Sequence, residues 1–174
     1  MRNRPEMVGF SFGQFFCDNI MDMDEKMIIK SGAFKDGDTI PPKYTCDGDN
    51  INPLIEIRNV PRGAKSLALV MDDPDATSGG VWDHWIMWSI EPGTQYISED
   101  TVPEGAVSGK TSFGHERYGG PCPPEGNSPH RYVFKLYALD VMLDLSAGAQ
   151  KPELEAAMEG HILDEAVLVG KYGR

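Results

Sequence analysis

The sequence has few cysteines, a deficit of basic residues and no long hydrophobic run. Its three cysteines in 174 residues are too few for a scaffold built on disulfides. Lys and Arg total 16 against 27 Asp and Glu, and the net charge of −11 disfavours nucleic acid and anionic membranes. No stretch approaches the roughly 20 apolar residues that span a bilayer. We expect no nucleic-acid partner and no membrane span, and the low cysteine count favours a cytoplasmic location.

The first 26 residues differ in composition and residue pattern from the rest of the chain. Arg2 and Arg4 precede an apolar stretch at residues 7–17, and acidic residues follow it. This order is a poor match to a signal peptide, because Gly, Ser and Gln interrupt the apolar part and no clean cleavage site follows. A loose extension, or a start codon upstream of Met27, explains it better. We predict an N-terminal extension at residues 1–26 and one domain at residues 27–174.

The domain has the pattern of short strands separated by turns. Residues 66–71 and 85–90 are apolar runs of strand length, and residues 131–139 are rich in aromatic and β-branched side chains. One helix is predicted at residues 152–159, where a proline precedes good helix formers. Helix-length crossovers between strands are missing. The predicted fold is therefore mainly β, an antiparallel sandwich of two sheets with a few peripheral helices.

Polar residues flank the first two predicted strands. Asp73 and Asp75 lie either side of Pro74 after the first strand, where they are either site residues or turn residues that cap their own backbone. His84 begins the second strand, and simple alternation puts it on one face with Ile86 and Trp88. A histidine on such a face is a core residue more often than a site residue.

A third polar segment leads into the strand at residues 131–139. Gly120 and Pro121 belong to a Gly- and Pro-rich loop at residues 119–124, and His130 and Tyr132 share one face of the strand that follows. Backbone N–H groups and an imidazole can together hold an anion, so the segment is a candidate anion site. The alternative is a purely structural loop with a proline-locked bend.

Metal binding and nucleophilic catalysis are the rival chemistries. Asp73, His84 and His130 could supply three metal ligands, but none of the tight spacings of a zinc motif is present. No Gly-x-Ser-x-Gly sequence occurs, and prolines flank Cys122 on both sides. We therefore expect no metal, no cofactor and no catalytic residue.

Several ordered motifs together resemble one known family. They are Tyr44-Thr45-Cys46-Asp47-Gly48, Asp73-Pro74-Asp75-Ala76, Trp82-x-His84-Trp85, Gly120-Pro121-Cys122-Pro123-Pro124 and His130-Arg131-Tyr132. In this order they resemble the phosphatidylethanolamine-binding protein (PEBP) family, in its prokaryotic Raf-kinase-inhibitor-like branch, over about residues 27–174. The resemblance implies a β-sandwich with a small pocket for phosphate-type anions and phosphoethanolamine-like head groups. The pocket residues that it implies are Asp73, Asp75, His84, Gly120, Pro121, His130 and Tyr132.

The resemblance also implies partners and a mode of action. The expected function is non-enzymatic binding of a small anionic or zwitterionic ligand, with a possible regulatory role. The second expected function is contact with a protein partner, as a serine protease inhibitor or a kinase modulator. The third is hydrolysis. Family relatives from prokaryotes form homodimers, so a homodimer is expected. Residues 1–26 and the sequence at 127–129 depart from the family pattern.

The expected mechanism gives each pocket residue a role. His84 and His130 donate hydrogen bonds to the anion, helped by backbone N–H groups near Gly120, and Tyr132 shapes the wall or donates through its hydroxyl. Asp73 either orients an imidazole or meets an ammonium group of the ligand.

Two of the cysteines also fall in these motifs. Cys46 and Cys122 could lie together as a thiol pair or a disulfide, or be two buried small hydrophobic residues.

Overall fold

The computed structural model describes residues 25–174, so the predicted extension lies outside the described residues except for its last two positions. Within residues 25–174, eight strands and one α-helix follow in chain order. The strands are β1 (Ile28–Ser31), β2 (Ile55–Arg58), β3 (Ser66–Asp73), β4 (Trp82–Ile90), β5 (Tyr96–Ile97), β6 (Val107–Ser108), β7 (His130–Leu139) and β8 (Ile162–Tyr172). The helix α1 (Lys151–Met158) precedes β8, and a 3-10 turn occupies Pro42–Tyr44.

The strands form two sheets that share one core. The smaller sheet has the order β1-β2-β5, the larger has β6-β4-β3-β7-β8, and every pairing between these strands is antiparallel. Ile29 and Ile57 from the smaller sheet pack with Leu69, Phe134 and Leu136 from the larger one. The predicted antiparallel β-sandwich is confirmed. Strand β3 is buried along its whole length, because the smaller sheet covers one face and α1 the other.

Helix α1 is fixed to the outer face of the larger sheet by a partly buried ion cluster around Asp72. Lys151 at the first turn donates to Asp72 at 2.8 Å and to Asp83 at 3.1 Å, and Lys135 donates to the same Asp72 oxygen. Burial lowers the pKa of Lys151, but the contacts with the two carboxylates outweigh it and the net pKa is raised. Lys151 is therefore a charged anchor for the helix.

A β-bulge in β4 places His84 on the opposite side from the one predicted. Met71 of β3 pairs with Trp85, whereas the next residue, Asp72, pairs with Asp83, so His84 is an extra residue in the ladder. Ile86 and Trp88 pack beneath α1, but the His84 ring packs against Tyr132 of the inner core, with ring centroids 5.1 Å apart. The prediction that His84 shares a face with Ile86 and Trp88 is wrong, because strict alternation fails at a bulge.

Candidate functional site

His130 is held by Asp73 at the end of the larger sheet. The two residues lie on neighbouring strands β7 and β3, and the His130 Nδ1–H donates to Asp73 Oδ2 at 2.7 Å. The other carboxylate oxygen, Oδ1, accepts the backbone N–H of Asp75 at 2.8 Å. Both residues are buried. The arrangement fixes the orientation of the imidazole and leaves its Nε2 as the nitrogen without a hydrogen-bond partner among residues 25–174.

His84 is held in a different way, by the backbone. Its Nδ1 lies 2.6 Å from the carbonyl oxygen of Gly119, which can only accept, so Nδ1 carries a hydrogen. The Gly119 N–H donates in return to the His84 carbonyl oxygen, at 2.9 Å. Burial lowers the pKa of His84, and the hydrogen bond to Gly119 and the nearby Asp73 only partly offset that effect. His84 is therefore a neutral imidazole at physiological pH.

The Tyr132 hydroxyl is buried without a hydrogen-bond partner in the described structure. The Cys122 backbone N–H is close enough to lower the pKa of Tyr132 slightly, but its geometry falls short of a hydrogen bond. Burial is the larger influence and raises the pKa of Tyr132, so the group remains a neutral O–H. An unsatisfied buried hydroxyl costs about 1–3 kcal/mol, which a ligand acceptor can recover.

These side chains line one cavity of about 210 Å³. Four of the predicted site residues meet there: Asp73, His84, His130 and Tyr132. They come from three adjacent strands of the larger sheet. The cavity is smaller than the roughly 300–1,000 Å³ of sites for drug-sized ligands. Its dimensions suit a head group or a small anion.

Three predicted site residues, Asp75, Gly120 and Pro121, lie outside the cavity lining. The Gly120 N–H donates to Asn50 Oδ1 at 2.7 Å, and the Pro121 carbonyl accepts from Cys46 N at 3.1 Å. The Gly120 N–H is already bonded to Asn50, so the expectation that this amide faces a ligand is wrong. Asp75 instead forms a bidentate pair with Arg131 that holds the loop after β3.

Aromatic and loop residues that the sequence interpretation did not assign to the site complete the wall. Trp82 and Phe113 pack edge to face with ring centroids 5.5 Å apart. Phe113 reaches the cavity because its loop folds back on β4, where the Ser112 N–H donates to the Asp83 carbonyl. Residues 76–78 and 122–124 close the remaining sides. Trp82 lies two residues before His84, and strand alternation, which puts the two on one face, could have added it to the site.

A disulfide joins Cys46 to Cys122 directly beside the cavity. Both residues are exposed, so the alternative of two buried hydrophobic residues is wrong. The bond connects the loop after the 3-10 turn to the proline-rich loop before β7. Because disulfides persist mainly in oxidising compartments, this bond weakens the argument for a cytoplasmic location that the low cysteine count supplied.

The described part of the chain holds neither a candidate metal cluster nor a candidate membrane-spanning helix. Within residues 25–174, no group of three or more His, Cys, Asp or Glu side chains is arranged to hold a metal ion. Over the same residues, no helix combines the length and the apolar character needed to cross a membrane.

Replacing Gly120 by Ala is expected to destabilise the loops behind the cavity. A Cβ there would lie 2.5 Å from the Tyr44 carbonyl oxygen and 2.6 Å from Asn50 Oδ1, so backbone must move. We expect a loss of about 1–3 kcal/mol in the free energy of unfolding, measured by urea titration. Gly80→Ala is the matched control, because a Cβ at Gly80 meets nothing within 4 Å. Equal stability of the two variants would contradict this packing.

The Asp75–Arg131 pair is expected to give a small acid dependence of stability. The Arg131 side chain lowers the pKa of Asp75 from 3.8 to about 2. The pKa of Asp75 is lower in the folded than in the unfolded protein. The stabilisation that the Asp75–Arg131 pair gives is therefore fully present above pH 4 and is lost as the pH falls through 2. Because both side chains are partly exposed, this stabilisation amounts to about 0.5–1 kcal/mol.

Urea titrations at pH 7 and pH 2.5 test this dependence. Asp75→Asn should be less stable than the wild-type protein at pH 7, and the difference should shrink at pH 2.5. Asp144→Asn, a change at an exposed carboxylate, should have the same free energy of unfolding as the wild-type protein at both pH values. A constant difference for the Asp75 variant at the two pH values would refute the assignment.

Two packed antiparallel sheets with a small histidine-lined cavity at one sheet end define the class of this protein as a β-sandwich with a terminal pocket. The chain matches the phosphatidylethanolamine-binding protein family over residues 30–173 and belongs to that family. The chain covers nearly the whole of a UPF0098 protein from Methanothermobacter thermautotrophicus, with 49% identity over 153 residues, 85% of this chain and 99% of that one.

Solved structures agree with this family. A phosphatidylethanolamine-binding protein homologue from Chlamydia trachomatis is 40% identical with a TM-score of 0.81, over 86% of this chain and 98% of that one. A carboxypeptidase Y inhibitor, solved in complex with its cognate proteinase, shares the fold at 18% identity and a TM-score of 0.55, over 85% of this chain and 83% of that one. At that identity the second likeness concerns the fold alone.

Proposed function

We propose that this protein binds small phosphorylated ligands of the phosphoethanolamine type in the cavity formed by Asp73, His84, His130 and Tyr132, and that it does so without catalysis. One observation carries the proposal: two imidazole Nε2 atoms and one buried hydroxyl, all lacking protein partners among the described residues, belong to side chains that line the same cavity. The buried Tyr132 hydroxyl is retained at a cost in stability that a polar ligand would offset.

Asp73 acts in this proposal by orienting His130 rather than by meeting the ligand. Both of its oxygens already accept hydrogen bonds, from His130 Nδ1 and from the Asp75 amide. The His130 ring held in this way offers its Nε2 to the ligand, and the Tyr132 O–H supplies a neutral donor. The ammonium end of a zwitterionic ligand would lie against Trp82 and Phe113, whose ring faces attract cations.

Calorimetric titration with phosphoethanolamine tests the proposal. Wild-type protein should give a saturable signal, and His130→Ala should lose at least about 10-fold in affinity, as expected for a hydrogen bond to a charged group. His161→Ala is the matched control, because His161 forms the same kind of pair with Asp140, 2.8 Å long, on the exposed surface. No wild-type binding at millimolar ligand, or equal losses in both variants, would reject the cavity as the site.

A protein-interaction role is the second candidate function, and the shared fold with a proteinase inhibitor favours it. We propose that such a role would use an exposed surface, so His130→Ala should retain inhibition of a serine protease while losing phosphoethanolamine. An inhibition assay on both proteins separates the two functions. Kinase binding, homodimer formation and a cytoplasmic location stay predictions.

Hydrolysis is the third candidate. It would use His130, oriented by Asp73, as acid and base toward a bound water, or else a hydroxyl nucleophile hydrogen-bonded to an imidazole. Thr77 and Ser78 line the cavity, but no hydrogen bond joins either to a histidine in the described structure. Turnover of a phosphate or acyl ester that disappears in His130→Ala would overturn the non-catalytic proposal.

A further inference from the structure

The part of the cavity wall formed by residues 122–124 has few hydrogen bonds to the rest of the protein. Three of the four residues 121–124 are prolines without a backbone N–H, so Cys122 has the single backbone donor of this stretch. Among the described residues, one hydrogen bond between backbone groups involves the 122–124 wall, from the Asn127 N–H to the Pro124 oxygen at 3.4 Å. The disulfide is therefore the main connection between this wall and the rest of the fold.

The other end of the disulfide lies in a well-anchored turn. Cys46 follows Thr45, which is fully buried and whose hydroxyl and N–H both donate to the Pro42 oxygen, at 2.9 and 3.0 Å. The Tyr172 hydroxyl at the end of β8 donates to Asp47 at 2.7 Å. The disulfide thus connects a weakly bonded wall to a fixed part of the molecule.

The 122–124 wall faces the groups that the proposed function assigns to the ligand. It lines the same cavity as His130 and Tyr132, and the Cys122 N–H is close to the Tyr132 hydroxyl. Pro123 within it is buried, so a displacement of the wall changes the shape of the cavity. A ligand that enters a cavity with a displaced wall has to order that wall again, which lowers its affinity.

We propose that the Cys46–Cys122 disulfide is a redox switch for the cavity, which binds its ligand tightly while the bond is intact and weakly after a dithiol reductant has opened it. This inference rests on the proposed function of the cavity. In the reaction the two S–H groups of the dithiol become a cyclic disulfide, and their two electrons and two hydrogens convert the protein disulfide into two thiols. Both cysteines are exposed, so the reductant reaches the bond without unfolding the protein.

Ligand binding and reduction are coupled in both directions. If reduction weakens binding by a given factor, the bound ligand makes the disulfide harder to reduce by the same factor, because the two effects belong to one thermodynamic cycle. Protein with its cavity occupied therefore keeps the disulfide under conditions that open it in the empty protein.

Calorimetric titration of oxidised and dithiol-reduced protein with phosphoethanolamine tests the switch. We expect reduction to weaken the affinity about 10-fold. The double variant Cys46→Ser, Cys122→Ser should bind like the reduced protein, with or without the dithiol. Leu154→Ala is the matched control for a general loss of stability, because Leu154 of α1 is buried on the outer face of the larger sheet. It should keep the affinity of the oxidised wild-type protein.

A titration of free thiols in the wild-type protein tests the reverse coupling. Saturating phosphoethanolamine should raise about 10-fold the ratio of reduced to oxidised dithiol at which half of the disulfide is open. At the same ligand concentration His130→Ala, which binds weakly in the proposed function, should show a much smaller change.

The outcomes separate the switch from the proposed function. Equal affinities of the oxidised and reduced proteins, or a thiol titration that the ligand leaves unchanged, would overturn the switch while leaving the proposed function in place. An equal loss of affinity in Leu154→Ala would also overturn the switch, because the effect would then be general destabilisation. No binding by the oxidised protein would overturn the proposed function and the switch with it.

Discussion

Asp73→Ala should lower the free energy of unfolding by about 3 kcal/mol and remove high-affinity binding of phosphoethanolamine. The carboxylate is 4% exposed and accepts two hydrogen bonds, one from His130 Nδ1 and one from the Asp75 backbone. Without it, the buried His130 Nδ1–H has no partner and the loop after β3 loses the contact that shapes its first turn. Urea unfolding at pH 7 measures the first effect and calorimetry the second.

Asp140→Ala is the control for this variant, because it removes the acid of the exposed His161–Asp140 pair. An exposed ion pair contributes about 0–1 kcal/mol, so the two variants should differ by at least about 2 kcal/mol. A variant with Asn at position 73 can still accept from His130 but not carry charge, and its affinity for phosphoethanolamine should be intermediate. If Asp73→Ala and Asp140→Ala were equally stable, the buried pair would have no special role.

Reduction of the Cys46–Cys122 disulfide should destabilise the protein by about 2–4 kcal/mol. The bond spans 76 residues of sequence, so it restricts a large part of the unfolded chain. For a domain of this length the loss corresponds to a fall in melting temperature of roughly 5–15 °C. Calorimetry with and without a dithiol reductant measures it, and both sulfurs are accessible because both residues are exposed.

The double variant Cys46→Ser, Cys122→Ser provides the control for nonspecific effects of the reductant. Its melting temperature should match that of the reduced wild-type protein and should not change when the dithiol is added. Denatured wild-type protein should also show two more free thiols after reduction than before. Equal thiol counts would mean that the two cysteines remain unpaired in solution.

The apolar middle parts of the strands could be predicted from sequence. The positions at which the strands begin, and the direction in which the polar residues there point, were harder to predict. Residues 131–139 were predicted as a strand from their aromatic and β-branched side chains, and the structure shows β7 with buried residues at alternate positions from His130 to Ala138. Residues 85–90 were also predicted as a strand, but β4 begins at Trp82 and bulges at His84. A bulge depends on how two strands pair, which a single strand's pattern does not contain.

In the candidate site, too, residues next to predicted strands could be named from sequence, whereas residues placed by long-range contacts could not. Asp73, His84, His130 and Tyr132 could be named from motifs, because each is next to an identifiable strand. Phe113 could not, since its loop reaches the cavity only through hydrogen bonds with β4. The predicted role of the Gly120 amide failed because its partner, Asn50, lies 70 residues away in the sequence.

By itself the sequence determined that this is an acidic β-sandwich protein of the PEBP family, because alternation, turn residues and ordered motifs are local properties of the chain. Tertiary structure alone decided that His130 meets a carboxylate and His84 a carbonyl, that Cys46 bonds to Cys122, and which amides are free. Those choices depend on distances between segments far apart in the chain, and a hydrogen bond changes the chemistry of an imidazole only when its partner is in place.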